Sequence, residues 1–282
     1  MMVSPPSDSV IVFYDIPSKV PGCAWSSNTF KTRYVMKQRL TRFPITLTTH
    51  VGSIALNYKG IPFRTEWVEY PDIDALLKSY GLKPNPPSAF APYTLPAIYD
   101  PRTGRAIMDS VKIVAYLDET YPDTPPLFAS STRVLQYAFQ DALFTVLQLP
   151  FAYLVLHDCV GKLNPPSSVY FRKKLESIVG CRLEEVSPPG SEKRAEQWTT
   201  VEKGFGTVAS WFDAAGDGRL FILGGDADGQ DARVCHADIA LASFLLYARA
   251  MLGEESGEWA RVQNLDNGRW KRLLNYCERW AK

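Results

Sequence analysis

The sequence predicts an N-terminal α/β domain followed by an all-helical C-terminal domain, and three observations support this prediction. Short apolar strands alternate with helical segments as far as about residue 120. The proline-rich segment Tyr121-Pro122-Asp123-Thr124-Pro125-Pro126 then interrupts every periodic pattern, as a domain boundary does. Beyond it, nearly every segment has the period of a helix. We therefore place the domains at residues 8–122 and 127–282.

The N-terminal elements are expected in the order βαβαββα. Strands are predicted at residues 10–13 and 63–68, directly after Pro96, and near Ala106-Ile107. Helices are predicted to begin near Asn28-Thr29, to span residues 72–80, and to run from Ser110 to about Thr120. This order is that of the thioredoxin-like fold. In the C-terminal domain, helices are predicted over residues 132–149, 168–179, 192–215, 237–251 and 270–281.

Composition excludes several functional classes. The 282 residues are 46% hydrophobic and 22% charged, which is ordinary for a globular protein, and the net charge is +1. Because no dense Lys/Arg block occurs, we expect no nucleic-acid surface. The apolar run Val10–Phe13 is too short for a signal peptide or a membrane span. The five cysteines have neither metal-ligand nor disulfide spacing, so we expect no metal and a cytoplasmic location.

Two tracts carry the candidate binding chemistry. In Tyr93-Thr94-Leu95-Pro96-Ala97-Ile98-Tyr99-Asp100 a proline opens an apolar strand, where it can adopt the cis form and turn the backbone of Leu95 outward. In the second tract, Asp109 and Ser110 open a helix, whose first N–H groups can hold a carboxylate while Asp109 meets an ammonium group. A small peptide with an amino-acid-like end is the expected guest.

Both tracts resemble the glutathione-binding elements of the glutathione S-transferase family, and Asp109-Ser110-Val111-Lys112-Ile113 is close to the family's pattern. The resemblance implies that Leu95, before Pro96, pairs with the cysteinyl backbone of glutathione. It also implies that Asp109 and Ser110 hold the γ-glutamyl end. A hydrophobic electrophile as second substrate, a homodimer and the two-domain glutathione transferase architecture follow from the same resemblance.

The run Trp25-Ser26-Ser27-Asn28-Thr29-Phe30-Lys31-Thr32-Arg33-Tyr34 resembles fungal and bacterial transferases related to lignin β-etherases. In that alignment Ser26 is the hydroxyl that stabilises the glutathione thiolate, the nucleophilic form of the thiol. Ser27 replaces the usual proline and is the second candidate, since the second serine of such a pair acts in other classes. Asn28 is a third group within reach of the sulfur.

Two other functions stay open. Cys23-Ala24-Trp25-Ser26 has C-x-x-S spacing, so Cys23 is a candidate for glutathione-dependent disulfide reduction if its thiol is exposed and its pKa depressed. A ligandin would instead bind glutathione and apolar aromatics without turnover. Aromatic residues of the C-terminal domain are candidates to line the acceptor site, namely Tyr137, Phe139, Phe144, Phe151, Tyr153 and Trp211.

The resemblance is interrupted by residues 35–54. The family continues from a Lys-Thr-Arg-Tyr-like segment directly into one like Ala55-Leu56-Asn57-Tyr58-Lys59-Gly60, whereas here Val35–Ile54 intervenes. A retained short intron and a tolerated surface loop are the two interpretations. Because the first helix would position Ser26, an insertion that splits it is expected to impair catalysis.

Late in the chain, Cys235 and Asp238 occupy the places of a helix capping box. The family has Ser or Thr at the first place. Because a thiol is a weak acceptor, we expect Cys235 to weaken this cap by about 1 kcal/mol.

Overall fold

The computed structural model describes residues 10–26, 54–87, 89–129, 131–226 and 232–280. The chain divides into two compact units. The first holds the described residues up to Pro126 together with Asn164–Ser167 and Trp280, and the second holds the remainder from Leu127 to Arg279. The division thus falls directly after the proline-rich segment. That residues 8–122 and 127–282 are two independently folding domains stays a prediction.

The first unit is built on a four-stranded mixed sheet. Its strands are β1 (Ile11–Asp15), β2 (Phe63–Trp67), β3 (Ala97–Asp100) and β4 (Arg105–Met108), in the spatial order β2-β1-β3-β4. β1 is parallel to β2 and antiparallel to β3, and β3 is antiparallel to β4. Every residue of the central strands β1 and β3 is buried, which explains why their residues before the final Asp15 and Asp100 are hydrophobic without alternation.

The helices described in the first unit are α1 (Ile54–Tyr58), α2 (Ile73–Ser79) and α3 (Ser110–Thr120). Together with the sheet they confirm the predicted thioredoxin-like fold. The helix predicted to begin near Asn28 and residues 35–53 of the predicted insertion lie outside the described residues. Ile54, the last residue of that insertion, is already part of α1.

The end of α1 is fixed by backbone and side-chain bonds. Gly60 has the positive φ of 67° that a helix-ending glycine adopts, and the N–H of Ile61 donates to the carbonyl of Leu56 at 2.9 Å. The buried ammonium of Lys59 donates to Asp118 Oδ1 at 2.6 Å and to the carbonyl of Pro125 at 3.1 Å. This lysine therefore ties α1 to α3 and to the proline-rich segment.

Helices dominate the chain after Pro126. They are α4 (Arg133–Leu143), α5 (Leu149–Lys162), α6 (Pro165–Val179), α7 (Glu192–Asp213), α8 (His236–Leu252), α9 (Gly257–Asn264) and α10 (Arg269–Cys277). The predicted all-helical character of this part is confirmed. α9 was not predicted, and α10 ends at Cys277 and not near residue 281, because a 3₁₀ turn follows at Glu278–Trp280.

The helix predicted over residues 132–149 continues to Lys162, and the prediction of its end was wrong. The π-helical segment Phe144–Gln148 joins α4 to α5. Pro150 lies in the first turn of α5 and has no N–H. The carbonyl of Val146, four residues earlier, therefore lacks its usual helical donor. That carbonyl instead faces α7 at Gly204, where an added Cβ would overlap it. The π turn thus accommodates a proline that would otherwise end the helix.

The core of the second unit surrounds α8, most of whose residues are buried. Phe244 on this helix meets Phe151 edge-on at 5.2 Å and packs beside Phe205 at 6.0 Å between ring centroids. Asp238 accepts the N–H of Cys235 at 2.9 Å and that of Ile222 at 2.8 Å, and the Cys235 side chain accepts the N–H of Asp238, so both halves of the predicted capping box are present.

By length and composition, one helical stretch of the described residues, Arg133–Lys162, is sufficient to cross a membrane. The core helix of a water-soluble protein passes the same test, so this stretch is weak evidence of a membrane span.

Candidate functional site

The two candidate binding tracts lie side by side at one end of the sheet. The peptide bond between Leu95 and Pro96 is cis, and Pro96 directly precedes β3. Asp109 directly follows β4, and its N–H donates to the carbonyl of Pro96 at 3.2 Å. The structure therefore brings together the residues that the sequence predicted to bind one guest, Leu95, Pro96, Asp109 and Ser110.

Leu95 presents its backbone while its side chain is buried. The side chain is 5% exposed. Within the described ranges, neither its N–H nor its C=O takes part in a hydrogen bond. A donor and an acceptor on one residue next to the start of β3 can pair with the backbone of a peptide guest as a neighbouring strand would.

Asp109 is the N-cap of α3. Its Oδ1 accepts the N–H of Val111 at 2.8 Å and that of Lys112 at 3.3 Å, and its backbone has a positive φ of 88°. The first helical N–H groups, expected to be open to a guest carboxylate, are thus partly occupied by Asp109 itself. Among the described residues, Oδ2 accepts no hydrogen bond, so this oxygen can meet an ammonium group. Ser110 follows, with 6% of its surface exposed.

The loop that leads to Leu95 is held by a residue that the sequence analysis missed. Asn85 Nδ2 donates to the carbonyl of Ala91 at 3.1 Å and to Thr94 Oγ1 at 3.4 Å, and its N–H donates to Pro92 O at 2.7 Å. Its position between two prolines in Pro84-Asn85-Pro86 is a turn signal that could have identified it.

The candidate catalytic loop follows β1 and is organised by Ser18. The Ser18 hydroxyl donates to the carbonyl of Cys23 at 2.6 Å and accepts the N–H of Val20 at 3.3 Å. Trp25 is buried and packs edge-on against Tyr70 at 6.4 Å between ring centroids. Ser26 follows as a half-buried residue. Ser27 and Asn28 lie outside the described residues.

Exposure separates the described thiols. Cys23 is exposed and has a positive φ of 65°, whereas Cys159, Cys235 and Cys277 are buried. Burial raises the pKa of Cys159 to about 12 and also raises the pKa values of Cys235 and Cys277. In the described part of the chain, no group of three His, Cys, Asp or Glu side chains is placed to hold a metal ion.

The candidate acceptor-site aromatics differ in their surroundings. Phe151 belongs to the core, and Phe139 meets Trp211 edge-on at 5.5 Å. The side chains that keep a large exposed surface are Tyr137 at 40%, Phe144 at 51% and Tyr153 at 41%. Of the six candidates, these three present the largest exposed surface to a ligand, Phe139 and Trp211 are half-buried, and Phe151 is fully buried.

Comparison with family models gives two matches. The model described as the glutathione S-transferase N-terminal domain matches residues 48–120, and that of the glutathione S-transferase C-terminal domain matches residues 134–280. The first match includes Leu95, Pro96, Asp109 and Ser110, and it begins within the predicted insertion.

Individual relatives match along nearly the whole chain. The glutathione S-transferase-like protein ustS of Aspergillus flavus is 30% identical over 98% of this chain and 92% of its own. A glutathione S-transferase of Ceriporiopsis subvermispora, solved in complex with glutathione, is 39% identical with a TM-score of 0.83, and the match covers 95% and 96% of the two chains. Glutathione transferase GSTFuA2 of Phanerochaete chrysosporium is 35% identical with a TM-score of 0.81, over 98% and 99%.

Proposed function

The chain belongs to the glutathione S-transferase family, in its fungal GSTFuA-like type, and we propose that it binds glutathione and transfers it to a hydrophobic or aromatic electrophile. The observation that carries the proposal is the juxtaposition of Leu95 and Asp109. A residue whose backbone groups are available lies beside a capped helix start, and one backbone bond from Asp109 to Pro96 connects the two tracts.

Each part of glutathione has a complementary group in this arrangement. The backbone of Leu95 pairs with the cysteinyl N–H and C=O, which places the cysteinyl sulfur at the end of the sheet. The γ-glutamyl ammonium meets Asp109 Oδ2, and Ser110 receives the γ-glutamyl carboxylate at the start of α3. Glutathione thus contacts both tracts, and neither tract alone would be specific for it.

The proposed reaction is nucleophilic attack by the glutathione thiolate. The hydroxyl of Ser26 donates a hydrogen bond to the sulfur and favours its ionised form; Ser27 or Asn28 takes this role if Ser26 does not. The sulfur forms a bond to an electrophilic carbon, and the leaving group departs with the electrons of the bond that breaks. With a β-aryl ether, the leaving group is a phenolate.

Two alternative functions have support in particular residues. The exposure of Cys23 favours glutathione-dependent disulfide reduction, since an attacking thiol must be accessible. The exposed aromatic surface of Tyr137, Phe144 and Tyr153 favours a ligandin that binds apolar aromatics without turnover.

We also propose a cytoplasmic homodimer. Val134 and Leu135 at the start of α4 are 81% and 69% exposed, which is unusual for adjacent aliphatic side chains and suits an interface between two copies. Sedimentation at micromolar concentration tests the assembly, and a monomer at that concentration would refute it.

The insertion at residues 35–54 determines whether this chain is fully active. The decisive experiment compares the chain with a version that lacks Val35–Ile54 in two assays, conjugation of an aryl halide and cleavage of a β-aryl ether. Activity in both versions identifies the insertion as a tolerated loop. Activity only in the shortened version identifies an impaired product, as a retained intron would give. Glutathione binding without turnover in either version favours the ligandin.

The role of Ser26 is tested in whichever version is active. We expect Ser26→Ala to lower kcat by about a hundredfold, the lower end of what a single thiolate-stabilising donor contributes. The matched control is Ser210→Ala, which removes an exposed hydroxyl that, among the described residues, donates to Thr207 O within α7 at 2.7 Å. Full activity of the Ser26 variant, with loss in Ser27→Ala, transfers the role to Ser27.

A further inference from the structure

We propose that the thioether of Met108 is a positioning group for glutathione, because it holds the backbone that precedes Leu95. The Thr94 N–H donates to Met108 Sδ at 3.3 Å. Thr94 is the residue directly before Leu95, and Met108 is the residue directly before Asp109. One side chain therefore connects the two halves of the binding site, and this inference rests on the proposed function.

The surroundings of Met108 make its sulfur a fixed acceptor. Met108 is the last residue of β4, pairs with Ala97 across the sheet, and is 6% exposed. Methionine is a flexible side chain, but burial restricts its rotamers, so the weakly accepting sulfur of Met108 is held near the Thr94 N–H. The hydroxyl of Thr94 is held from the other side by Asn85 Nδ2 at 3.4 Å.

Without the sulfur, the N–H of Thr94 has no other hydrogen-bond acceptor among the described residues. Its N–H donates to no backbone carbonyl there, and β3 begins only at Ala97. Leu95 would then be held by Asn85 on one side and by the strand on the other, with a freer backbone between them. A peptide guest that pairs with Leu95 would have to order this segment on binding, which lowers affinity.

The test uses Met108→Leu, which removes the acceptor and keeps an apolar side chain of similar volume. Met251→Leu is the matched control, because Met251 is also buried and its sulfur also accepts a hydrogen bond, from Cys159 Sγ at 3.4 Å in the helical unit. Two quantities are measured on the full chain: amide hydrogen exchange of Thr94 by NMR without ligand, and glutathione affinity by calorimetry.

We expect Met108→Leu to accelerate Thr94 exchange by about tenfold or more and to weaken glutathione binding by about three- to tenfold. Exchange within β1 and β3 should be unchanged, as should both quantities in Met251→Leu. In steady-state assays the loss should raise KM for glutathione and leave kcat at saturating glutathione unaltered. A general loss of packing would instead accelerate exchange throughout the sheet.

Three results would overturn the inference. Unchanged Thr94 exchange in Met108→Leu shows that the sulfur does not hold this N–H. Faster exchange with undiminished affinity shows that the anchor does not matter for glutathione, while the proposed function stands. Failure of the unaltered chain to bind glutathione refutes the proposed function, and the inference with it.

Discussion

At the residue scale, burial determines which thiols of this chain can react. A thiol whose pKa is about 12, as burial makes that of Cys159, is ionised in only about one part in 10⁵ at pH 7, whereas an ordinary thiol is ionised to a few per cent. We expect iodoacetamide at pH 7 to modify Cys23 at least a hundredfold faster than Cys159. Peptide mass spectrometry over a time course measures both rates.

The control for this labelling experiment is the same reaction in concentrated denaturant. There the two thiols should react at similar rates, because the burial of Cys159 is lost. Comparable rates for the folded protein would contradict the described burial, and protection of Cys23 by glutathione would favour the disulfide reductase.

Asp109 combines an observed helix cap with a proposed ligand contact, and one substitution can separate the two. Asparagine retains an oxygen that can cap α3 and tolerates a positive φ, but it lacks the charge proposed to meet the γ-glutamyl ammonium. We therefore expect Asp109→Asn to change the free energy of unfolding by less than about 0.5 kcal/mol and to weaken glutathione binding by about tenfold or more. Chemical denaturation and calorimetry give the two values.

Asp109→Ala is the matched comparison, since it removes cap and charge together. It should lose about 1 kcal/mol of stability from the cap and a further amount because alanine is strained at a positive φ, in addition to affinity. Retained affinity in Asp109→Asn would mean that the carboxylate acts only as a cap.

At the element scale, the π turn and Gly204 form one packing unit. The Val146 carbonyl, which Pro150 cannot bond, points to α7 at the position where any Cβ on Gly204 would overlap it. Gly204→Ala should therefore destabilise the protein by about 2 kcal/mol or more, because backbone must move. Thermal or urea unfolding measures the loss.

Gly206→Ala is the control on the same helix. A Cβ at Gly206 has no described heavy atom within 4 Å, so the substitution should be neutral or stabilising by about 0.5–1 kcal/mol, as alanine is in a helix interior. Equal effects at both positions would show that the close approach of α7 to the π turn is not needed.

These elements also show where sequence reasoning succeeds. α3 was predicted from Ser110 to Thr120 because its cap and its apolar spacing are both local signals. The extent of the helix around Pro150 was not predicted correctly, because the π turn packs against Gly204, which is distant in the sequence. In the same way, a local motif placed Asp109 and Ser110 at the start of α3, while their role in binding stays a prediction. The contact between Met108 and Thr94 has no local signal, since it arises only when β3 and β4 pair.

At the scale of the whole molecule, Asp238 couples stability to pH. It is fully buried, and in the described chain no lysine or arginine pairs with it. Burial raises its pKa from the usual 3.8 to about 6 in spite of the N–H donors Ile222 and Cys235. The folded state therefore holds a proton between about pH 4 and pH 6 that the unfolded state has released, and protonation favours folding.

The stabilising contribution of this proton is complete below about pH 4 and is lost as the pH rises through 6. Two pKa units correspond to about 3 kcal/mol. We expect the difference in unfolding free energy between the chain and Asp238→Asn to fall by about 2 kcal/mol from pH 4 to pH 7, since part of the unfolded carboxyl is still protonated at pH 4. Urea denaturation at intervals of half a pH unit measures it.

The asparagine variant is the proper reference because it keeps one oxygen acceptor and cannot ionise. Its absolute stability will be lower, since the amide nitrogen replaces an oxygen that accepts a backbone N–H, but this loss does not depend on pH. Cys235 and Cys277 titrate far above this range, and His236 is present in both proteins, so their contributions largely cancel. A difference that stays constant, or grows with pH, would mean that the two backbone donors outweigh burial and keep Asp238 ionised throughout.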